Sequence, residues 1–192
     1  IKKTIIGDNV SVLDGAIIGK KGFGFFPDKK KNIRYPHIGM VIIGNNVEVG
    51  CNNTIDRGSL SNTIIGNNVS VLDGAIIGKK GFGFFPDKKK NIRYPHIGMV
   101  IIGDNVEIGC NNTIDRGSLS NTIIGNNCFL DNQIHIAHNV KIGENSIIAG
   151  QVGIAGSSIL GNNVKIGGQA GISGHLKIGN NVEIGGGSGV IR

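Results

Sequence analysis

Three histidines near the end of the chain are the side chains best suited to acid–base chemistry. His138 stands in "IAHNVK", His175 in "ISGHLK", and His135 precedes both in "LDNQIH". A neutral imidazole accepts a proton near pH 7, which suits a general base. The 37 residues between His138 and His175 equal two 18-residue coils plus one residue. This spacing predicts that the two histidines lie on one edge of a repeating fold, about 10 Å apart along its axis. The alternative interpretation is that both are polar corner residues that face outward and have no function.

The coils are predicted from a six-residue period that runs from Ile124 to the end of the chain. The first position of each hexapeptide is Ile, Leu or Val in twelve of twelve cases, and the fifth is always small or aliphatic. A period of six fits neither a helix nor a simple strand, but it is typical of a parallel β-helix. Three short strands then form one triangular coil of 18 residues, with the first-position side chains stacked inside. Gly or Asn is expected at corners that need a positive φ.

A near-identical duplication fills the first two thirds of the chain. Residues 10–68 and 69–127 are offset by 59 residues and differ only at Asn45/Asp104 and Val49/Ile108. We interpret each copy as a three-coil cassette with one irregular coil at 24–42 and one small insertion. Because each coil contacts only its neighbours, whole coils can be inserted without loss of register. The chain is then a single domain, 1–192, of about nine to ten coils.

The near-identity of the copies indicates a duplication that is recent or was engineered, since old repeats diverge. The segment "GFGFFPDKKK" occurs in both copies. Its two loops are therefore expected three coils apart, roughly 15 Å. The unduplicated coils at 128–192 hold the candidate chemistry only once.

Composition and charge limit the partners and the compartment. The net charge of +7 and the "DKKK" runs at 28–31 and 87–90 fit a solvated basic surface or an acidic partner. No aromatic residues are interleaved with the basic ones, so nucleic acid is not expected. Cys51, Cys110 and Cys128 are too few for a disulfide framework and favour a reducing compartment.

Neither a signal peptide nor an apolar run near the ~20 residues of a transmembrane segment is present in the sequence. The chain starts without Met and inside patterned sequence. We therefore expect it to be a fragment of a longer protein.

The unduplicated region resembles a known enzyme family. The residues that carry this resemblance are "LDNQIHIAHNVKIGENSIIAGQVGIAGSSILGNNVKIGGQAGISGH", the "TIDRGSL" segments at 54–60 and 113–119, and the "GFGF" segments. They closely resemble the UDP-3-O-(3-hydroxyacyl)glucosamine N-acyltransferases, hexapeptide-repeat enzymes of lipid A biosynthesis. The resemblance covers essentially all 192 residues and implies that the β-helix is left-handed. It further implies a bacterial cytoplasmic homotrimer with sites between subunits, and a reaction without a cofactor. The co-substrates would be acyl-phosphopantetheine on acyl carrier protein and UDP-acylglucosamine.

The same resemblance assigns two catalytic residues. His138 matches the general base that takes a proton from the glucosamine 2-amine as this amine attacks the acyl thioester. Gly156 matches the backbone N–H donor to the oxyanion of the tetrahedral intermediate. Gly156 follows His138 by 18 residues, so it is predicted one coil away, about one strand spacing. A base and an oxyanion donor at that distance suit acyl transfer.

Four further residues are assigned to substrate binding by resemblance. His175 matches a histidine near the acceptor or the phosphopantetheine, and Asp131 and Asn132 match polar residues of the "DNQ" motif. Arg192 matches a basic residue that receives the acidic acyl carrier protein. The family's N-terminal uridine-binding domain and C-terminal helical segment have no counterpart in this sequence. A lengthened β-helix scaffold without activity is therefore the alternative.

A zinc enzyme of the γ-carbonic anhydrase type is a third alternative. The spacing of His138 and His175 fits such a site, but the expected third histidine is replaced by Asn180. We therefore predict no metal site. "GKKGFG" at 19–24 has the wrong order for a dinucleotide-binding loop. His37 and His96 are the same residue in the two copies and are expected on loop surface.

Overall fold

Three parallel sheets of eight strands each build the molecule. The computed structural model describes residues 1–22, 25–26, 33–34, 36–85 and 92–191. All regular elements in these residues are β-strands. One strand from each sheet forms a coil, and eight coils stack into a left-handed parallel β-helix. The predicted fold is confirmed.

Sheet A opens each coil, sheet B follows, and sheet C closes it. Sheet A contains Thr4–Ile6 (β1), Val41–Ile43 (β6), Thr63–Ile65 (β9), Val100–Ile102 (β14), Thr122–Ile124 (β17), Lys141–Ile142 (β20), Ile159–Leu160 (β23) and Lys177–Ile178 (β26). Sheet B contains Ser11–Val12 (β2), Glu48–Val49 (β7), Ser70–Val71 (β10), Glu107–Ile108 (β15), Phe129–Leu130 (β18), Ile147–Ile148 (β21), Lys165–Ile166 (β24) and Glu183–Ile184 (β27). Sheet C contains Ile17–Lys21 (β3), Thr54–Arg57 (β8), Ile76–Lys80 (β11), Thr113–Arg116 (β16), His135–Ile136 (β19), Gly153–Ile154 (β22), Gly171–Ile172 (β25) and Gly189–Val190 (β28).

Two antiparallel hairpins lie outside the coils. One pairs Phe25–Phe26 (β4) with Ile33–Arg34 (β5), and the other pairs Phe84–Phe85 (β12) with Ile92–Arg93 (β13). Each belongs to a loop that leaves the helix after sheet C and returns to sheet A. We call this edge the CA corner, residues 22–40 the first loop and residues 81–99 the second loop. The edge between sheets B and C is the BC corner.

The predicted number of coils is wrong. Thr4 pairs directly with Val41, and Val41 with Thr63, so one 59-residue copy closes two coils and not three. The stretch at 24–42 adds no coil, because Val41 pairs with the coil that precedes this stretch. Its length is close to that of one coil, so the periodicity alone could not distinguish the two. The small insertions, 58–61 and 117–120, also lie at the CA corner. The two loops are therefore two coils apart, roughly 10 Å.

The interior is filled as the hexapeptide pattern predicts. First-position side chains such as Ile136 and Ile154 are fully buried. Asparagines hold the left-handed corner conformation, for example Asn145 at φ 57°. Most glycines at the second position of a hexapeptide do not adopt this conformation. They are required because a Cβ would collide with the next coil, as at Gly143, where it would lie 2.5 Å from the Gly161 carbonyl carbon.

Candidate active site

The CA corner collects the residues that can do chemistry. A cleft of about 330 Å³ opens there. It is lined by Tyr94 and Pro95 of the second loop, by Ser118 and Leu119 of the 117–120 insertion, and by the corner residues His138, Asn139, Ser157 and His175. The repeat therefore places loop, insertion and histidines on one edge.

His138 lies directly against Gly156. His135 pairs with Gly153 across the parallel sheet, so Gly156 follows one coil below His138. A methyl group built on Gly156 would lie 2.7 Å from Cε1 and 2.8 Å from Nε2 of His138. The Gly156 carbonyl accepts a hydrogen bond from the His175 N–H at 3.0 Å, whereas the Gly156 N–H has no acceptor among the described residues. A free N–H beside an imidazole is the arrangement that acyl transfer needs.

Asn139 connects the histidine to the 117–120 insertion. Its Oδ1 accepts a hydrogen bond from the Ser118 N–H at 2.7 Å, which fixes the orientation of the amide. Its Nδ2 lies 2.8 Å from Ser118 Oγ, 3.1 Å from His138 Nδ1 and 3.3 Å from Ser157 Oγ. Because Nδ2 is only a donor, this contact favours a neutral His138 whose proton is on Nε2.

The electrostatics keep His138 neutral near pH 7. Burial lowers the pKa of His138, the nearby His175 lowers it further, and the Phe82 backbone carbonyl raises it in part. An uncharged imidazole at working pH is a condition for general-base catalysis.

The prediction that His96 lies on a loop surface is wrong. It is only 4% exposed, and its ring lies beside that of His138, with the centroids 5.3 Å apart and the ring planes at 78° to each other. Nδ1 of His96 lies 3.0 Å from the Tyr94 carbonyl. Burial, and then the neighbouring His138, lower the pKa of His96 to about 4. His37, its copy, is also buried.

Asp115 is a buried carboxyl that sequence reasoning missed. It is 8% exposed, and burial raises its pKa to about 7. Nε2 of the half-exposed His135 lies 3.9 Å from Asp115 Oδ2, and Thr113 Oγ1 lies 2.8 Å from His135 Nδ1. The equivalent carboxyl in the first copy, Asp56, has Lys79 at 3.1 Å. In the next repeat the place of Lys79 is taken by Ala137, and this replacement of a lysine is visible in the sequence.

The other predicted residues are not all brought together in one chain. His175 lies at the CA corner in the left-handed conformation, with φ 61°. Asp131 and Asn132 are exposed at the BC corner, where Asn132 Oδ1 accepts a hydrogen bond from the Cys110 N–H at 2.7 Å. Arg192 lies outside the described residues.

Two further searches concern metals and membranes. Within the described part of the chain, no group of three or more His, Cys, Asp or Glu side chains is arranged to hold a metal ion. The same residues contain no helix with the length and apolar character needed to cross a membrane.

Comparisons with known proteins agree with this geometry. A family model described as bacterial transferase hexapeptide (six repeats) matches residues 121–156. UDP-3-O-acylglucosamine N-acyltransferase 2 of Legionella pneumophila is 54% identical over 83 residues, which cover 43% of this chain and 24% of the relative. The UDP-3-O-acylglucosamine N-acyltransferase of Pseudomonas paraeruginosa is 58% identical over 77 residues, covering 40% and 22%.

The predicted resemblance is confirmed over the hexapeptide region. Among solved structures, the UDP-N-acetylglucosamine acyltransferase of Campylobacter jejuni aligns with 100% of this chain and 67% of its own, with a TM-score of 0.69 and 26% identity. The chain resembles hexapeptide acyltransferases in sequence and in fold. It spans about a quarter of the length of the curated relatives it matches.

Proposed function

We propose that this chain is the β-helix part of an N-acyltransferase. The reaction moves a 3-hydroxyacyl group from acyl carrier protein to the 2-amine of UDP-3-O-acylglucosamine. One observation carries the proposal: at the wall of the cleft, His138 lies against the backbone of Gly156, whose N–H has no acceptor in the part of the chain that the structure describes. The curated relatives are N-acyltransferases that are named for a UDP-acylglucosamine, and this supports the choice of acceptor.

The reaction follows from these two groups. The amine nitrogen attacks the thioester carbonyl, so a C–N bond forms and the carbonyl oxygen becomes an oxyanion that the Gly156 N–H stabilises. His138 accepts the proton that leaves the nitrogen. The C–S bond then breaks, and the protonated His138 returns the proton to the leaving thiolate. No net oxidation or additional reactant is involved.

His138 must have its lone pair on the nitrogen next to Gly156 for this role. The neutral imidazole then carries its proton on Nδ1, which is the tautomer that the present contact with Asn139 Nδ2 disfavours. The reactive arrangement therefore needs a different partner for Nδ1.

The remaining assignments extend the proposal. His175 lines the cleft and is placed to contact the acceptor or the phosphopantetheine. Asp131, Asn132 and Arg192 are proposed to bind substrate or acyl carrier protein. The proposal includes a homotrimer with the site between subunits, in which Asp131 and Asn132 of one chain would join His138 of the next. Because acyl carrier protein is acidic, the net charge of +7 favours its approach.

The experiment is acyl transfer from 3-hydroxyacyl carrier protein to UDP-3-O-acylglucosamine, measured for the chain and for His138→Ala. We expect a loss of about 10²- to 10⁴-fold in kcat, the usual contribution of a general base. His37→Ala, in the first loop, is the control and is expected to leave the rate unchanged. If the chain shows no turnover, or if its turnover does not depend on His138, the alternative of a scaffold without activity is supported.

A further inference from the structure

One buried nitrogen next to the candidate base has no hydrogen-bond partner among the residues that the structure describes. Nδ1 of His96 faces the Tyr94 carbonyl, which can only accept, so the proton of the neutral imidazole is on Nδ1. The lone pair is then on Nε2. Nε2 is buried and has no hydrogen-bond partner among the described residues. Buried acceptors in native structures are nearly always satisfied, so this atom calls for a donor.

The opposite imbalance occurs at Asn139. Its amide nitrogen has two hydrogens but three neighbouring acceptors: Ser118 Oγ, Ser157 Oγ and His138 Nδ1. Two hydrogens cannot form a separate bond to each of the three acceptors, although Ser118 Oγ can also donate to Asn139 Oδ1 at 3.2 Å. If His138 Nδ1 had another partner, the two serine hydroxyls would use both hydrogens of Asn139.

A rotation of the His138 ring resolves both imbalances. A methyl group built on Gly81 would lie 3.0 Å from both His138 Cδ2 and His96 Nε2, and one built on Gly83 would lie 3.5 Å from both His138 Nε2 and His96 Cε1. The Cδ2–Nε2 side of His138 therefore faces the Nε2–Cε1 side of His96. Turning the imidazole by 180° about Cβ–Cγ exchanges Cδ2 with Nδ1, and Cε1 with Nε2. Nδ1 then faces His96, and Nε2 takes the place of Cε1, 2.7 Å from the methyl position on Gly156.

The separation of the rings permits the new bond. An N–H···N hydrogen bond of about 2.9 Å between two imidazoles places their centroids about 5 Å apart. The centroids of His96 and His138 are 5.3 Å apart. The two rings therefore need no large displacement.

We propose that His96 is a positioning residue, whose Nε2 accepts a hydrogen bond from Nδ1–H of His138 and so holds the His138 Nε2 lone pair beside Gly156. The inference rests on the proposed function of His138 as base. It gives the neutral buried His96 the orienting role that a carboxylate has in many catalytic histidine pairs. Asn139, bonded to Ser118 and Ser157, then stabilises the corner without fixing the tautomer.

The test compares His96→Phe with His37→Phe. Phenylalanine keeps an aromatic ring of similar size but has no lone pair, and the same change in the first loop imposes a similar cost on a loop of identical sequence. Nitrogen-15 correlation spectra of the free chain at pH 7.5 report which nitrogen of His138 carries the proton. We expect the Nδ1–H form in the unmodified chain and in His37→Phe, and a shift to the Nε2–H form in His96→Phe.

Activity is the second measurement. His96→Phe is expected to lower kcat by about 10- to 100-fold with little change in KM, whereas His37→Phe changes neither. A His138 that carries its proton on Nε2 in the unmodified chain, or one whose tautomer is the same in His96→Phe, would overturn the proposal. Equal losses of kcat in both variants would do the same. The spectra need no turnover, so a chain without acyltransferase activity would refute the proposed function and still leave the role of His96 measurable.

Discussion

The first and second loops have the same sequence but cover different side chains. A methyl group on Gly22 would lie 2.5 Å from the Arg116 guanidinium, whereas one on the equivalent Gly81 would lie 2.9 Å from His138. Arg116 is buried and donates to the carbonyls of Gly78 and Arg57 at 2.7 and 3.0 Å. Arg116 belongs to the second copy, and His138 belongs to the unduplicated coils. The loop therefore supplies the walls of a site, and the coil beneath it decides the chemistry.

The two buried carboxyls differ in the same way. Asp56 lies between Lys20 and Lys79 in the sheet register, and Lys79 reaches it at 3.1 Å. Burial raises the pKa of Asp56, and the two lysines oppose that effect. Asp115 pairs in register with Lys79 on the preceding coil, but the ammonium of Lys79 lies at Asp56. The following coil offers only Ala137 beside Asp115, so burial dominates the pKa of Asp115.

The largest expected effect concerns the stability of Asp115→Asn as a function of pH. A carboxyl whose folded pKa is raised to about 7 contributes stability below its unfolded pKa of about 4, and this contribution is lost as the pH rises through about 7. Asparagine cannot ionise, so Asp115→Asn removes the free-energy cost of placing a charged carboxylate in this buried position. Urea unfolding at pH 8 should therefore show Asp115→Asn more stable than the unmodified chain by about 2–4 kcal/mol, with little difference at pH 4.

Asp56→Asn is the matched control. The pKa of Asp56 is also raised, but its lysines oppose the effect of burial, and the substitution removes the ion pair with Lys79. Asp56→Asn should therefore gain less stability at pH 8 than Asp115→Asn. If both variants gained the same stability at pH 8, the difference between the two carboxyls would be refuted.

Next in size is the effect of a methyl group on the loop glycines. Gly81→Ala places a carbon 2.9 Å from Cβ of His138, which is fixed to the backbone, so the imidazole must shift. We expect kcat to fall by about 10- to 100-fold, because small displacements of a catalytic group are costly. Gly22→Ala meets the end of the flexible Arg116 side chain and should retain full activity. Acyl transfer measured for both variants checks this, and equal activities would contradict it.

The smallest effect is expected for Ala137→Lys, which gives Asp115 a lysine on the following coil, as Asp56 has in Lys79. A lysine at this position can pair with Asp115 and should lower the pKa of that carboxyl. The gain in unfolding free energy at pH 8 should be about 1 kcal/mol. A double-mutant cycle with Asp115→Asn isolates the pair, since the gain must vanish when the carboxyl is absent.

The periodicity of the sequence predicts most of the fold. Ile124 and every sixth residue after it define the buried stack, and the 18-residue spacing predicts the contact between His138 and Gly156. The number of coils could not be predicted, because a 19-residue loop has nearly the length of a coil. The burial of His96 could not be predicted, because the six-residue period is interrupted in the loop and does not indicate which coils the loop packs against. The same applies to His37, which is also buried.

Gly81 and Gly83 are a sequence signal for the close packing around His96. Two glycines spaced by one residue often mark a close approach of the backbone to another group. Here a Cβ on Gly83 would lie 3.5 Å from both His96 and His138. Asp115 could have been found by pairing each acidic residue with the coil that follows it.

Because each cassette closes two whole coils, adding a cassette lengthens the molecule without changing the number of candidate sites. A further cassette inserted after residue 127 would preserve every register, and its loop would cover His138 while the earlier loops covered arginine. Length would then increase in steps of two coils, with one histidine centre per chain at the boundary between repeated and unique sequence.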